Sequence, residues 1–138
     1  MSTLIRAKIS TKNEHYISKE RYYELKHFCL QYPEWKKAYS VLLESSGAHG
    51  WDPQYIPRTS HGDPTAENAI RMAYLSGNIS LVEKCAVKAD ETLAPYILKS
   101  VTEGYSYTYL SAVLDMPASK NMFYDRYRRF FWILNKER

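Results

Sequence analysis

The sequence has few of the features that mark secreted, metal-binding or membrane proteins. It contains only two cysteines, Cys29 and Cys85, and they lack the C-x-x-C spacing of a redox or zinc site. The longest uninterrupted apolar run is residues 130–134, whereas a membrane-spanning helix needs about 20 such residues. The N-terminus has no apolar segment of the kind found in secretory signals. These absences favour a cytoplasmic protein with reduced thiols and no membrane partner.

Patterns that carry catalysis are also missing. There is no HExxH, no glycine-rich phosphate loop and no nucleophile elbow. We therefore expect no enzyme, no catalytic residues and no cofactor. Two histidines and two aspartates share one loop: His49, Asp52, His61 and Asp63. Such loop side chains are usually solvated, so we predict no metal site there.

The positive charge is concentrated at the end of the chain. The net charge is +4, yet residues 1–116 hold equal numbers of basic and acidic residues. Residues 117–138 hold six lysines and arginines against two acidic residues, which accounts for the whole excess. Localised positive charge is typical of a phosphate-binding surface. The alternative is a solvated basic tail.

The pattern predicts an all-α protein with a helical N-terminal arm and a C-terminal helix-turn-helix. Residues 1–17 show no periodicity and are predicted to form a flexible arm. Residues 18–62 are predicted to form a helical hairpin or a kinked helix, then a loop rich in glycine and proline. Residues 63–138 are predicted to form a helical domain that ends in a helix-turn-helix at 106–137.

The N-terminal helices are predicted from an apolar seam and a proline. The seam has the 3,4 spacing of a helix packed along one face, and it consists of Leu25, Phe28, Tyr32, Trp35, Tyr39 and Leu42. Ser18 is a candidate cap, and Pro33 favours two helices at about 18–31 and 33–45. Such a seam packs inside its own monomer or serves a subunit contact.

Capping residues divide the middle of the chain into three predicted helices. Asp63-Pro64 begins the first, and Gly77 is expected to end it. Ser80 begins the second, and the third begins at Asp90 and ends at Gly104. The first of these helices carries an apolar stripe at helical spacing: Ala66, Ala69, Ile70, Ala73 and Tyr74.

The parts of a helix-turn-helix follow in order near the C-terminus. The first helix is predicted at Ser106–Leu114, and the turn at 115–118 contains Pro117, which stops that helix. Ser119 is a candidate cap for the second helix, Lys120 to about Asn135. This second helix has an apolar face with Phe131 and Ile133 at its edges, and the centre of that face is formed by Phe123, Tyr127, Phe130 and Leu134.

The other face of the second helix supplies the candidate DNA-binding residues: Lys120, Asn121, Tyr124, Asp125, Arg126, Arg128 and Arg129. Asn pairs with adenine and Arg with guanine, so Asn121 and Arg128 are the predicted base readers. The predicted phosphate contacts are Lys120, Arg126 and Arg129. Asp125 is a candidate to orient Arg128 or Arg129, or to accept a hydrogen bond from cytosine, and Tyr124 lies at the margin.

Two C-terminal strings, Gly104–Leu110 and Asn121–Leu134, resemble the ends of small prophage regulators. That group includes RinA-type late transcriptional activators and phage proteins similar to sigma-factor region 4. The shared pattern, Tyr/Phe-Tyr-x-Arg-x-Arg-Arg-Phe-Phe, spans Phe123 to Phe131, and the helix start Asp63-Pro64-Thr65 is similar as well. The resemblance implies a helix-turn-helix that binds phage or host DNA sequence-specifically.

The sequence alone is compatible with three functions. The first is a phage-derived transcriptional regulator that binds double-stranded DNA, with RNA polymerase as a candidate partner. The second is a DNA-packaging factor of the terminase small-subunit type, and the third is a helical protein–protein interaction module. A homodimer is also considered, because such regulators often bind as dimers. Its candidate contact surfaces are the Leu25–Leu42 seam and Trp132.

Overall fold

The computed structural model describes residues 13–45 and 64–138, and these residues form helices without any strand. The helices are α1 (Lys19–Leu30), α2 (Tyr32–Ser45), α3 (Pro64–Ala89), α4 (Ala94–Glu103), α5 (Tyr107–Leu114) and α6 (Lys120–Glu137). The all-helical prediction is therefore confirmed for these ranges. No helix in them has the length and apolar content needed to cross a membrane. The predicted loop and the His49, Asp52, His61 and Asp63 group lie outside the described residues.

Several helix ends fall where the capping residues predict them. Ser18, Ser106 and Ser119 each accept a hydrogen bond through the side-chain oxygen from the backbone N–H three residues later. Each serine thereby satisfies one of the N–H groups that a helix start leaves without a helical acceptor. Gly104 ends α4 with a left-handed φ of 78°, a conformation that glycine adopts without steric cost.

Two predicted boundaries are wrong: the helix start at Asp90 and the break between Gly77 and Ser80. Residues 90–93 form a turn, and α4 begins at Ala94, so that Pro95 lies in its first turn. Gly77 was expected to end a helix and Ser80 to begin another, but α3 runs without a break through both positions. The buried side chains of Leu75 and Val82 lie on the same side of α3, because seven residues make nearly two full turns. Burial on both sides of Gly77 offsets the roughly 1 kcal/mol that glycine costs inside a helix.

The core forms where α6 packs against α1, α3 and α4. α2 packs along α3, and the Tyr32 hydroxyl donates a hydrogen bond to the Glu83 carboxylate at 2.6 Å. The Leu25–Leu42 seam therefore lies inside the chain, since Leu25, Phe28, Tyr32 and Trp35 are buried and Tyr39 and Leu42 are partly buried. This seam is not an open surface for a second subunit.

The end of the predicted flexible arm is packed onto the core. The N–H of Tyr16 donates to the carbonyl of Asn13, and Ile17 is buried. The ring of His15 lies 5.2 Å from that of Trp132, centroid to centroid. Residues 13–17 therefore depart from the prediction, because Ile17 gains burial and His15 covers an aromatic ring of α6. Residues 1–12 lie outside the described ranges.

Candidate nucleic-acid interface

The segment that joins α5 to α6 is a compact, hydrogen-bonded turn. Asp115 adopts a left-handed φ of 53°, a region that Asp tolerates better than most residues. The N–H groups of Asp115 and Met116 both donate to the carbonyl of Leu110, and the side chains of Met116 and Leu110 are buried. The Tyr107 hydroxyl donates to the carbonyl of Ala118 at 3.0 Å. α5 is thereby tied to the residues just before α6.

The apolar face of α6 is anchored in the core, as its spacing predicts. Its six members are buried: Phe123, Tyr127, Phe130, Phe131, Ile133 and Leu134. The hydroxyl oxygens of Tyr22 and Tyr127 lie 2.8 Å apart in a buried hydrogen bond, and burial raises the pKa of Tyr127 well above its ordinary value. With this face fixed, the direction in which the opposite face projects is also fixed.

Four of the predicted site residues lie open on α6. The side chains of Lys120, Asn121 and Arg129 are exposed, and that of Arg128 is partly exposed. Within residues 13–45 and 64–138, none of these four side chains forms an ion pair or a hydrogen bond. Asn121 and Arg128 are seven residues apart, nearly two turns, so they project to the same side. These groups are available to an external ligand.

Arg126 and Asp125 are placed differently from their predicted roles. Arg126 donates through Nε to Asp90 at 3.0 Å and through a second nitrogen to Asp125. Arg126 lies on the flank of α6, beside the turn between α3 and α4. Its guanidinium, which was predicted to contact phosphate, is bound by two carboxylates of its own chain. Asp125 binds Arg126 rather than Arg128 or Arg129. The hydrogen bond to Asp90 raises the pKa of Arg126.

Asp90 is the acid that fixes Arg126. Burial alone would raise the pKa of its carboxyl, but hydrogen bonds from the Leu93 N–H and from Arg126 outweigh that effect and the pKa is lowered. The Leu93 bond, at 3.0 Å, also closes the turn that precedes α4. Asp90 therefore joins α4 to α6. The sequence shows Asp90 as a helix-start residue but gives no signal for its partner 36 positions later.

Tyr124 supports the interface from its edge. Its ring is partly buried against the rings of Phe123 and Tyr107, at centroid distances of 5.3 and 6.4 Å. Burial raises the pKa of the Tyr124 hydroxyl. Tyr124 thus helps pack α5 against the first turns of α6.

The remaining basic side chains of the C-terminal segment are engaged within the chain. Arg138 contacts Glu24 at 3.0 Å and lies over the ring of Phe28. The Nζ atom of Lys136 lies 3.4 Å from the ring centroid of Trp132. Trp132, a predicted subunit contact, is therefore flanked by Lys136 and His15 of its own chain. Of the six basic residues that produce the charge excess, Lys120, Arg128 and Arg129 remain open.

Among the described residues, no three potential metal ligands lie close enough together to hold an ion. Comparison with protein-family models, with characterised proteins and with solved structures finds no match to this chain.

Proposed function

We propose that the protein binds duplex DNA through the outer face of α6, with α5, the turn and α6 acting as a helix-turn-helix. The observation that carries the proposal is the contrast between the two faces of α6. One face is buried in the core, and the other presents Lys120, Arg128 and Arg129 without an internal acidic partner among the described residues. Unpaired basic groups on a rigid helix suit a ligand that carries regularly spaced phosphates.

The dimensions of α6 fit this proposal. The major groove of B-DNA is about 12 Å wide and accepts one α-helix. Asn121 and Arg128 are separated by about 10 Å along the helix axis, which corresponds to roughly three base-pair steps. Further along, His15 covers Trp132. The first half of α6 is therefore the part proposed to enter the groove, as recognition helices usually do.

The proposed biological role is regulation of transcription, without a catalytic step. The support is the resemblance of Phe123–Phe131 to the last helix of prophage regulators. Light scattering of the purified protein separates this role from the packaging alternative. A regulator is expected as a monomer or dimer, whereas a ring of eight or more subunits would assign the protein to packaging.

The first prediction concerns salt. Each phosphate contact contributes about 0.9 to the slope of log K against log salt on B-DNA. On a duplex of mixed sequence Arg128 has no preferred base to read and is expected to contact phosphate as Lys120 and Arg129 do, so three open basic residues predict a slope of about −3 per protomer. The measurement is fluorescence anisotropy with a labelled duplex of mixed sequence. Replacing Lys120, Arg128 and Arg129 together with glutamine is expected to remove most of this dependence.

The matched control for the salt prediction changes the same amount of charge elsewhere. It replaces Lys37, Lys84 and Lys99, exposed lysines of α2, α3 and α4, with glutamine. The control variant is expected to keep most of the slope. Equal losses in both variants would show that net charge, not α6, determines binding, and no binding at low salt would overturn the proposal.

The second prediction separates base reading from phosphate contact. Asn121→Ala or Arg128→Ala is expected to cost about 1–3 kcal/mol on the preferred site and to relax preference at one or two positions. Lys120→Ala or Arg129→Ala is expected to weaken all duplexes alike and to make the salt slope shallower by about one unit. Selection from a random duplex pool supplies the site, and a scrambled duplex is the comparison. If all four variants lose the same factor on both duplexes, α6 contacts the backbone only.

A further inference from the structure

The outer face of the first half of α3 carries apolar side chains that its own fold does not bury. Ile70 is 72% exposed and Tyr74 is 64% exposed, and the residues just before them, Ala69 and Ala73, are exposed as well. These residues have the helical spacing of a packing face. α3 meets the core through the opposite side, where Leu75 is buried. α3 therefore has two apolar faces, of which the described chain packs one.

Gly77 extends the open face. It lies inside α3 without a positive φ, and a Cβ built there would meet no atom within 4 Å. Glycine in a helix interior is destabilising by roughly 1 kcal/mol relative to alanine, and no contact within the described chain requires it. Ala69, Ala73 and Gly77 recur at every fourth position, the row along which two helices approach closely when ridges pack into grooves.

We propose that this face, the α3 seam (Ala69, Ile70, Ala73, Tyr74 and Gly77), binds the same seam of a second copy of the chain. In an antiparallel pair related by a twofold axis between residues 71 and 72, Ile70 lies opposite Ala73 of the second copy. Tyr74 then lies opposite Ala69 of the second copy. Each large side chain meets a small one, so the seam is complementary to itself, as a twofold interface requires.

The charges near the seam fit a contact between identical copies. A twofold contact brings like surfaces together, and a chain of net charge +4 repels its copy wherever positive groups meet. The seam has no charged side chain, and Glu67 and Arg71 beside it carry opposite charges. Two seams can therefore approach without net repulsion. Further along α3, the exposed Lys84 would oppose such a contact.

The seam is short, which sets the expected strength of the dimer. Its five members lie within a nine-residue stretch, 69–77, that spans about 13 Å of helix. Interfaces below about 1,200 Å² of total buried area belong to weak, transient complexes. The dimer is therefore expected to form in the micromolar range. This inference does not depend on DNA binding, and it replaces the Leu25–Leu42 seam, which is packed inside the chain, as the subunit contact.

Sedimentation of the full chain between about 5 and 500 µM, a range that brackets a weak dimer, tests the proposal. The weight-average mass is expected to rise with concentration from 16.2 kDa toward twice that value. Ile70→Glu and Gly77→Leu are each expected to abolish the rise. Both positions point away from the core, so neither variant is expected to lower the melting temperature measured at the lowest concentration. Val113→Glu, on the exposed side of α5, is the matched control and is expected to leave the rise intact.

Three results would overturn the proposal. One is a wild-type chain that stays monomeric at the highest concentration. Another is an Ile70→Glu variant that dimerises as the wild type does. The third is a loss of melting temperature in Ile70→Glu under dilute conditions, which would show that the chain covers the seam itself.

Discussion

Replacing Phe130 with alanine is expected to lower the free energy of unfolding by about 3–5 kcal/mol, the usual cost of removing a fully buried phenylalanine ring. Phe130 has no exposed surface. Its ring centroid lies 5.0 Å from that of Phe131 in an edge-to-face arrangement. Alanine would leave a cavity at the centre of the buried face of α6. The cavity would persist, because the surrounding helices can relax into it only in part.

Urea unfolding followed by circular dichroism measures this effect. Val113→Ala is the control, because it also removes apolar atoms but from a side chain that is 57% exposed. The control is expected to change the unfolding free energy by less than about 0.5 kcal/mol. Coincident unfolding curves for Phe130→Ala and the wild type would mean that the buried face of α6 is not where the structure places it.

Replacing Asp90 is expected to cause the second-largest decrease in the free energy of unfolding. Its side chain is 14% exposed and accepts hydrogen bonds from Arg126 and from the Leu93 N–H. Asp90→Ala removes a hydrogen bond to a charged group and the hydrogen bond that closes the turn before α4, which together contribute about 2–4 kcal/mol. Asp90→Asn keeps an oxygen that can accept from the Leu93 N–H and loses the negative charge, so roughly half of that loss is expected.

The contribution of Asp90 to the free energy of unfolding is expected to depend on pH. The fold lowers the pKa of this carboxyl, so the folded state favours the ionised form more than the unfolded chain does. The stabilisation is present above the ordinary carboxyl pKa of about 4 and is lost as the pH falls through the lower folded pKa. The difference between wild type and Asp90→Asn should therefore be largest near neutral pH and shrink in acid.

Chemical unfolding at pH 7 and at acidic pH measures this dependence. The control is Glu91→Gln, which removes a carboxylate from the exposed neighbour of Asp90 and is expected to have little effect at either pH. A difference between wild type and Asp90→Asn that is equal at both pH values would show that the Arg126 contact does not contribute to stability.

Local features of the structure were predictable from the sequence. Ser106 and Ser119 begin helices because a serine oxygen satisfies a nearby backbone N–H. The buried face of α6 follows from its 3,4 spacing alone, since side chains at that spacing share one side of a helix. The helix end predicted at Gly77 is wrong, although glycine is common just after the last residue of a helix. Packing of α3 on both sides of the glycine outweighs its low helix propensity.

The candidate site was predictable only in part, because sequence periodicity gives the face of a residue but not its partners. It placed Asn121 and Arg128 on the outer side of α6, where the structure has them. It did not separate the open Arg129 from the engaged Arg126, because the acid that binds Arg126 lies 36 residues away. Similarly, the partner of Arg138 is Glu24, 114 residues away.

The bonds between α1 and α6 have a consequence for the way the protein is made. Tyr22 pairs with Tyr127, and Arg21 donates to Asn135, across more than a hundred residues. At about 5–20 residues per second, a ribosome needs roughly 5–20 s to travel from one helix to the other. During that time the α1 side chains that will face α6 have no α6 to cover them. We therefore expect the nascent chain to depend on chaperones, or on partial packing of α1 against α2 and α4, until α6 emerges.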